Sequence, residues 1–248
     1  MMKRILTTLK EKWPEYFLEI LVLIIGILLA LQVNNWNEER ILANTQTKQL
    51  RIIRQEMSNN LFLLEKEWEK LSVQIEKQLK FIDLINSPSA MDSISEEAFS
   101  ILLLQAFNER VETPIENSAL NELISSGGLK DIKNDSIKTY LASWHTRLNN
   151  LKKQEDIIKE TNKGFNQFER QSPDFSFRVY LNTVYPDRGI SLPSSPKSNK
   201  KIVNNQEFEN IIITLWGQQR RVETVFYPQY KKDLIAIIEA LDKELKNP

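Results

Sequence analysis

No cysteine occurs anywhere in the 248 residues. That excludes disulfides, cysteine-ligated zinc, iron–sulfur clusters and thiol catalysis. Glycine (6) and proline (9) are scarce, which favours long helices over β structure. Histidine occurs once, at His145. One histidine cannot complete an H-E-x-x-H zinc site, and Ala142 stands where a di-metal bundle needs the Glu of Glu-x-x-His. No G-x-S-x-G turn presents a serine nucleophile, so His145, beside Trp144, reads as a surface or interface histidine. Nor is one sign of charge in excess: 33 basic residues face 33 acidic ones. A nucleic-acid partner, which would need a basic surplus to displace counterions, is not expected. Gly127 and Gly128 lack the preceding strand and the spacing of a phosphate-cradling loop, so they read as a helix cap. Glu65 and Glu69 share a helix face rather than facing each other across a cleft. No cofactor and no metal site is expected, and no enzymatic activity.

What is present, first, is an anchor. Ile20 to Val33 reads ILVLIIGILLALQV, and eleven of the fourteen residues are Ile, Leu or Val. Together they favour bilayer insertion by about 3–7 kcal/mol. Trp13 and Trp36 bracket the run, 23 residues or about 35 Å apart along a helix, the span of the hydrocarbon core plus its interfaces. Indole prefers that level because the ring is apolar and the N–H wants a wet partner. Pro14 suits the first helical turn, and Glu15 and Glu19 then lie near the positive end of the helix dipole. A cleaved signal peptide fits poorly, since the best cut, after Ala30, has Leu28 at −3. A buried soluble helix would not need tryptophan at both ends. Residues 14–36 are therefore expected to form a transmembrane helix, with 1–13 as a cytoplasmic tail too short to hold an output domain. Lys3, Arg4, Lys10 and Lys12 precede it and only Arg40 and Lys48 follow closely, which puts the N-terminus in the cytoplasm and residues 37–248 in the periplasm. Gly26 and Ala30 make a small-xxx-small pair for a partner helix, and Glu19 reads as an interfacial carboxylate.

Second is a helical domain. Between Ile27 and Ser87 there is neither Gly nor Pro, and Leu50, Ile53, Met57, Leu61, Leu64, Trp68, Leu71, Ile75, Leu79, Ile82 and Ile85 recur at spacings of three and four. That predicts one long helix ending near Asn86, stopped by Pro88. Ser93 and Glu96 form a capping-box pattern for the next helix. Asn134 or Asp135 caps a third, with Ile137, Leu141, Trp144, Leu148, Leu151, Ile158 and Phe165 as its stripe. Glu155 and Asn162 fall on that stripe, and a seam opening to solvent is the favoured account of them. Residues 171–204 carry Pro173, Pro186, Pro193 and Pro196 and read as one extended, solvated loop with a weak strand pattern at 175–181. A last helix starts near Asn205, and Pro228 should kink or split it near Thr224. The fold class expected is all-α: an N-terminal transmembrane helix followed by an antiparallel long-helix bundle with coiled-coil-like seams and one extended loop.

The stretch Gly26 to Glu38, GILLALQVNNWNE, resembles the start of a large family of uncharacterised single-pass membrane proteins from Bacteroidota, the domain of unknown function 6090. Leu123 to Asp135, LISSGGLKDIKND, is similar to that family's mid-domain signature. The resemblance implies an envelope protein of a Gram-negative lineage and brings no catalytic residue with it. The expected function is a membrane-anchored periplasmic interaction or scaffold protein, binding a protein partner or a second copy of itself. The alternative is a ligand-sensing module that signals through a partner.

Overall fold

The computed structural model describes the backbone of residues 2–246, and the side chains of Trp13 and of residue 16 onward, Arg188 and the last two residues excepted. The side chains of Lys3, Arg4, Lys10, Lys12, Pro14 and Glu15 lie outside the described residues. All regular structure in the described residues is helical: α1 (Met2–Ile85), α2 (Pro88–Ser93), α3 (Glu96–Phe107), α4 (Ser118–Ser125), α5 (Asp135–Gln171), α6 (Phe177–Val184), α7 (Gln206–Arg221) and α8 (Tyr227–Lys246), with short 3₁₀ turns between some of them.

α1 is a single helix of 84 residues. Pro14 therefore lies inside it, not in a first turn. The flanking residues 3–12 are mostly Lys, Arg and Leu, good helix formers, without glycine, and one lost bond to the Lys10 carbonyl does not stop propagation. From Leu50 onward α1 buries Ile53, Met57, Leu64, Leu71 and Ile75. Leu79, expected on that stripe, faces out, while Gln74, Gln78 and Phe81 face in. The buried face turns because α3 packs on this end. Phe81 meets Phe99 and Phe107 with ring centroids 5.5 Å apart in each pair, and the Gln74 amide donates to the Ala106 carbonyl.

Three cross-links join α1 to the chain's last helices: Arg54 to Asp242 at 2.9 Å, Glu65 to Lys231 at 2.7 Å, and Ser72 Oγ donating to Glu223 at 2.6 Å. Rising numbers on α1 meet falling numbers on the partner. α5 lies against α7 and α8, with Arg147 paired to Asp233 at 2.7 Å and the Trp144 ring packed at a tilt on Tyr230, 5.6 Å between centroids. The C-terminal α-helix is interrupted near Thr224, where Pro228 was expected to kink or split it. The chain widens into a π turn over Val222–Phe226, which relieves the proline ring's conflict with the Thr224 carbonyl, and resumes as α8.

Caps differ from expectation in two places. Ser93 closes α2, donating to the Ala90 carbonyl, and the residue that caps α3 is Ser95, whose hydroxyl accepts from Ala98 N–H at 3.0 Å. Pro88, expected only as a stop, begins α2. Asn134 caps α5 and Asn205 caps α7, each accepting two backbone N–H groups. Gly127 has φ +74°, the left-handed conformation that ends α4. Gly128 does not share it. A Cβ at Gly128 would come within 2.7 Å of Leu123 Cδ1, so a larger residue there would have to shift the end of the Leu123 side chain.

Residues 171–204 are not an extended solvated loop. The alternating run expected as a strand is helix α6, capped by Ser176, and Phe175, Val179, Tyr180, Asn199 and Ile202 are buried. The Asn199 amide grips both sides of Ser176, accepting its N–H at 2.7 Å and donating to its carbonyl at 3.2 Å. Glu96 on α3 accepts from Ser198 Oγ and from Asn199 N–H. Lys200 donates to the Ile94 carbonyl at 2.9 Å, while Lys197 and Lys201 face solvent.

Candidate membrane-anchoring site

Every described residue from Tyr16 to Thr45 is exposed. Within that stretch Leu18, Ile20, Leu21, Val22, Leu23, Ile24, Ile25, Ile27, Leu28 and Leu29 lie at adjacent or nearly adjacent positions, so they cover every azimuth of the helix and leave no polar face. Leu23 is 64 % exposed, and none of the most apolar eighteen-residue window is buried. A soluble core helix of this composition would be covered by the rest of its chain, and this one is not. It is a helix near the N-terminus long and apolar enough to cross a membrane.

The bracketing tryptophans are equally bare, Trp13 at 64 % and Trp36 at 62 %. Just beyond the apolar run the surface turns polar. Asn34 Nδ2 donates to Glu38 at 2.7 Å, and the Arg40 guanidinium lies 5.7 Å from the Trp36 ring centroid. Such amphipathic pairs suit the headgroup level. Glu19 is exposed at the other end. A side chain built at Gly26 meets nothing within 4 Å, so the flat patch it makes with exposed Ala30 is uncovered.

The helical domain begins close to this segment. Gln46 on α1 donates to the Asp131 carbonyl, and Leu50 is the first buried residue. Ten residues from Trp36 to Gln46 span about 15 Å of helix. The 3₁₀ turn Gly128–Asp131 is thus the part of the domain nearest the apolar segment.

Gly127 and Gly128 do not join the residues of the apolar segment in one site. They shape the turn that meets Gln46. His145 is half-buried on α5. Glu65 pairs with Lys231 on α8, not with Glu69. Among the described residues no group of three His, Cys, Asp or Glu side chains could hold a metal ion. A groove of about 510 Å³ lies between α1 and the 109–111 segment, lined by charges of both signs, including Glu67, Lys70, Glu109 and Arg110.

Sequence reasoning missed the polar side chains that hold the extended segment between α3 and α4. Glu155, expected at a seam opening to solvent, is buried. It accepts the Thr113 N–H at 2.9 Å and pairs with Lys152 at 2.9 Å, while Lys152 also donates to the Thr113 carbonyl at 2.8 Å. Thr113 Oγ1 donates to the Tyr227 hydroxyl oxygen at 3.1 Å. Asn60, fully buried, both donates to the Glu116 carbonyl and accepts its N–H at 2.7 Å. Glu56 accepts from Ala119 and Leu120 N–H and so caps α4 from a different helix. A polar residue on an apolar stripe was the one available signal for Asn60 and Glu155, and it did not say which backbone they would meet.

No protein-family model, no curated protein and no solved structure matches the chain.

Proposed function

We propose that the protein is a single-pass inner-membrane protein whose helices form an antiparallel bundle in the periplasm, and that the bundle is a non-enzymatic interaction or scaffold module for a protein partner or a second copy. The observation that carries this reading is the all-round apolar, wholly unburied segment of α1, continuous with the helix that builds the domain core. Water around so many exposed Ile, Leu and Val side chains is costly, and a bilayer removes that cost. The basic residues before the segment support a cytoplasmic N-terminus. The resemblances at Gly26–Glu38 and Leu123–Asp135 support membership of the domain of unknown function 6090 family.

The test is the native mass of the full chain, extracted gently from its own membranes. A mass that is not a simple multiple of 29.1 kDa after subtraction of detergent identifies a hetero-complex, and a dimer or higher multiple identifies self-assembly. Monomer alone, or turnover of a substrate by the purified protein, overturns the reading. Orientation is tested separately by protease added to intact spheroplasts, which should remove the domain.

A second reading is ligand sensing, with the signal passed to the anchor. It is favoured by one observation: the residues that pack against α3 and α8 and the residues of the apolar segment belong to the same uninterrupted helix.

A further inference from the structure

We propose that the pocket between α3, α5 and α6 binds a small organic cation, its ammonium group seated against Glu169. The proposal deepens the ligand-sensing reading by giving it a ligand class, and rests on it only for the purpose of binding. The pocket is an open cleft of about 260 Å³. Leu103 and Phe107 of α3, Phe165 and Glu169 of α5, and Tyr180 of α6 form its floor. Phe107 and Phe165 lie 5.7 Å apart, part of the aromatic cluster that also holds Phe81, Phe168 and Phe208.

Glu169 is the exceptional member. It is 8 % exposed, yet it makes no hydrogen bond and no ion pair among the described residues. By contrast Glu155, on the same stripe of the same helix, is buried and fully engaged. The Glu169 oxygens keep contact with the water of the pocket, yet so deeply set a carboxylate still favours protonation or a counter-charge. Desolvation pushes the Glu169 carboxyl up to about 7, with the Arg170 charge opposing the shift. The charged and titratable groups around it are Arg170 on its own helix, Glu109 and Arg110 on the segment after α3, and Tyr180 across the pocket on α6. Both arginines are exposed at the rim, where water screens them, and neither reaches Glu169 as an ion pair. Burial, together with the negative charge of Glu169, pushes the Tyr180 phenol up, so it stays neutral.

The floor therefore offers one deeply set carboxylate in a small open pocket, a counter-charge for an alkylammonium ion. A metal ion is a worse fit, because a hard cation wants several oxygen ligands and Glu169 is the lone buried carboxylate of the floor. The volume lies below the roughly 300–1,000 Å³ of drug-sized sites, so the ligand is small. Its seating displaces the proton from Glu169.

The experiment is calorimetric titration of n-butylammonium chloride into the full-length protein in detergent micelles. Heats at about pH 6.5 are compared in two buffers of different ionisation enthalpy. Saturable binding is expected, with a proton released and an affinity that falls about tenfold per pH unit below about pH 7. Glu169→Gln should lose both the binding and the proton release, and n-butanol, the neutral isostere, should not compete. No saturation, binding unchanged in Glu169→Gln, equal binding of n-butanol, or no linked proton overturns the proposal. If Glu169→Gln fails to fold, the pH profile and linked proton of the unaltered protein decide. None of these results bears on anchoring or assembly, which the native mass tests on its own.

Discussion

Glu169→Gln should stabilise the folded protein, and by an amount that grows with pH. In the folded chain burial holds the carboxyl at about 7, against 4.5 for the unperturbed group. The folded state thus binds the proton more tightly than the unfolded state. Below about pH 4.5 both states are protonated and nothing is lost. Between about pH 4.5 and 7 the folded state holds more protons, so stability falls as pH rises, and above about pH 7 the loss is complete. At about 1.4 kcal/mol per tenfold change in proton affinity, the loss is about 3 kcal/mol. Water entering the adjoining pocket of about 260 Å³ screens the charge, so this is an upper figure. Glutamine keeps the shape and is neutral throughout. Urea unfolding of both proteins in the same micelles, followed by near-ultraviolet circular dichroism, measures the difference. The curves should nearly coincide at about pH 4.5 and separate by up to about 3 kcal/mol in favour of glutamine at about pH 8. Parallel curves across that range, or a glutamate advantage at high pH, would refute the reasoning.

Three further outcomes are expected. Gln78 is fully buried with neither amide atom hydrogen-bonded, so Gln78→Leu should raise stability by about 1–3 kcal/mol, read as a higher urea midpoint; a lower midpoint would show that the amide is satisfied. Glu155→Ala strands the Thr113 N–H and leaves Lys152 only the Thr113 carbonyl, and should cost about 1–3 kcal/mol and speed amide exchange at 111–116 before anywhere else. Ile24→Lys together with Leu28→Lys adds about 5–7 kcal/mol against insertion, enough to cancel the apolar gain, so the double variant should leave the membrane fraction on carbonate extraction.

Long elements were legible in the sequence because their signals repeat. The stripe of α5 from Ile137 to Phe165 is buried as spaced, and Asn134 and Asn205 cap where an Asn precedes an apolar run. Short elements were not. Eight residues from Phe177 to Val184 satisfy alternation and helical periodicity about equally, and only the Ser176 cap and the burial of Val179 and Tyr180 together decide for helix. Ser93 and Ser95 compete two residues apart for one cap, and the competition is settled by Pro88 starting a helix that Ser93 must close. Leu79 turned outward because the partner changes along α1, from α8 to α3, which no local pattern encodes. Glu169 follows Phe165 by one turn on the same apolar stripe, so its burial was readable in principle; its neighbour Arg170 and the many other charges of α5 hid it.

The unbroken run of α1 fixes an angle as well as a distance. A helix advances about 100° per residue, so the direction in which the domain faces relative to the apolar segment is set by the number of residues between them. One residue inserted in the exposed stretch 37–45 would swing the whole domain by about 100° and push it outward by about 1.5 Å, with every internal contact intact. Seven inserted residues would nearly restore the heading while lifting the domain by about 10 Å. Any partner that must touch the apolar segment and the domain together would therefore tolerate the insertion of seven better than the insertion of one, which makes α1 a compass as much as a tether.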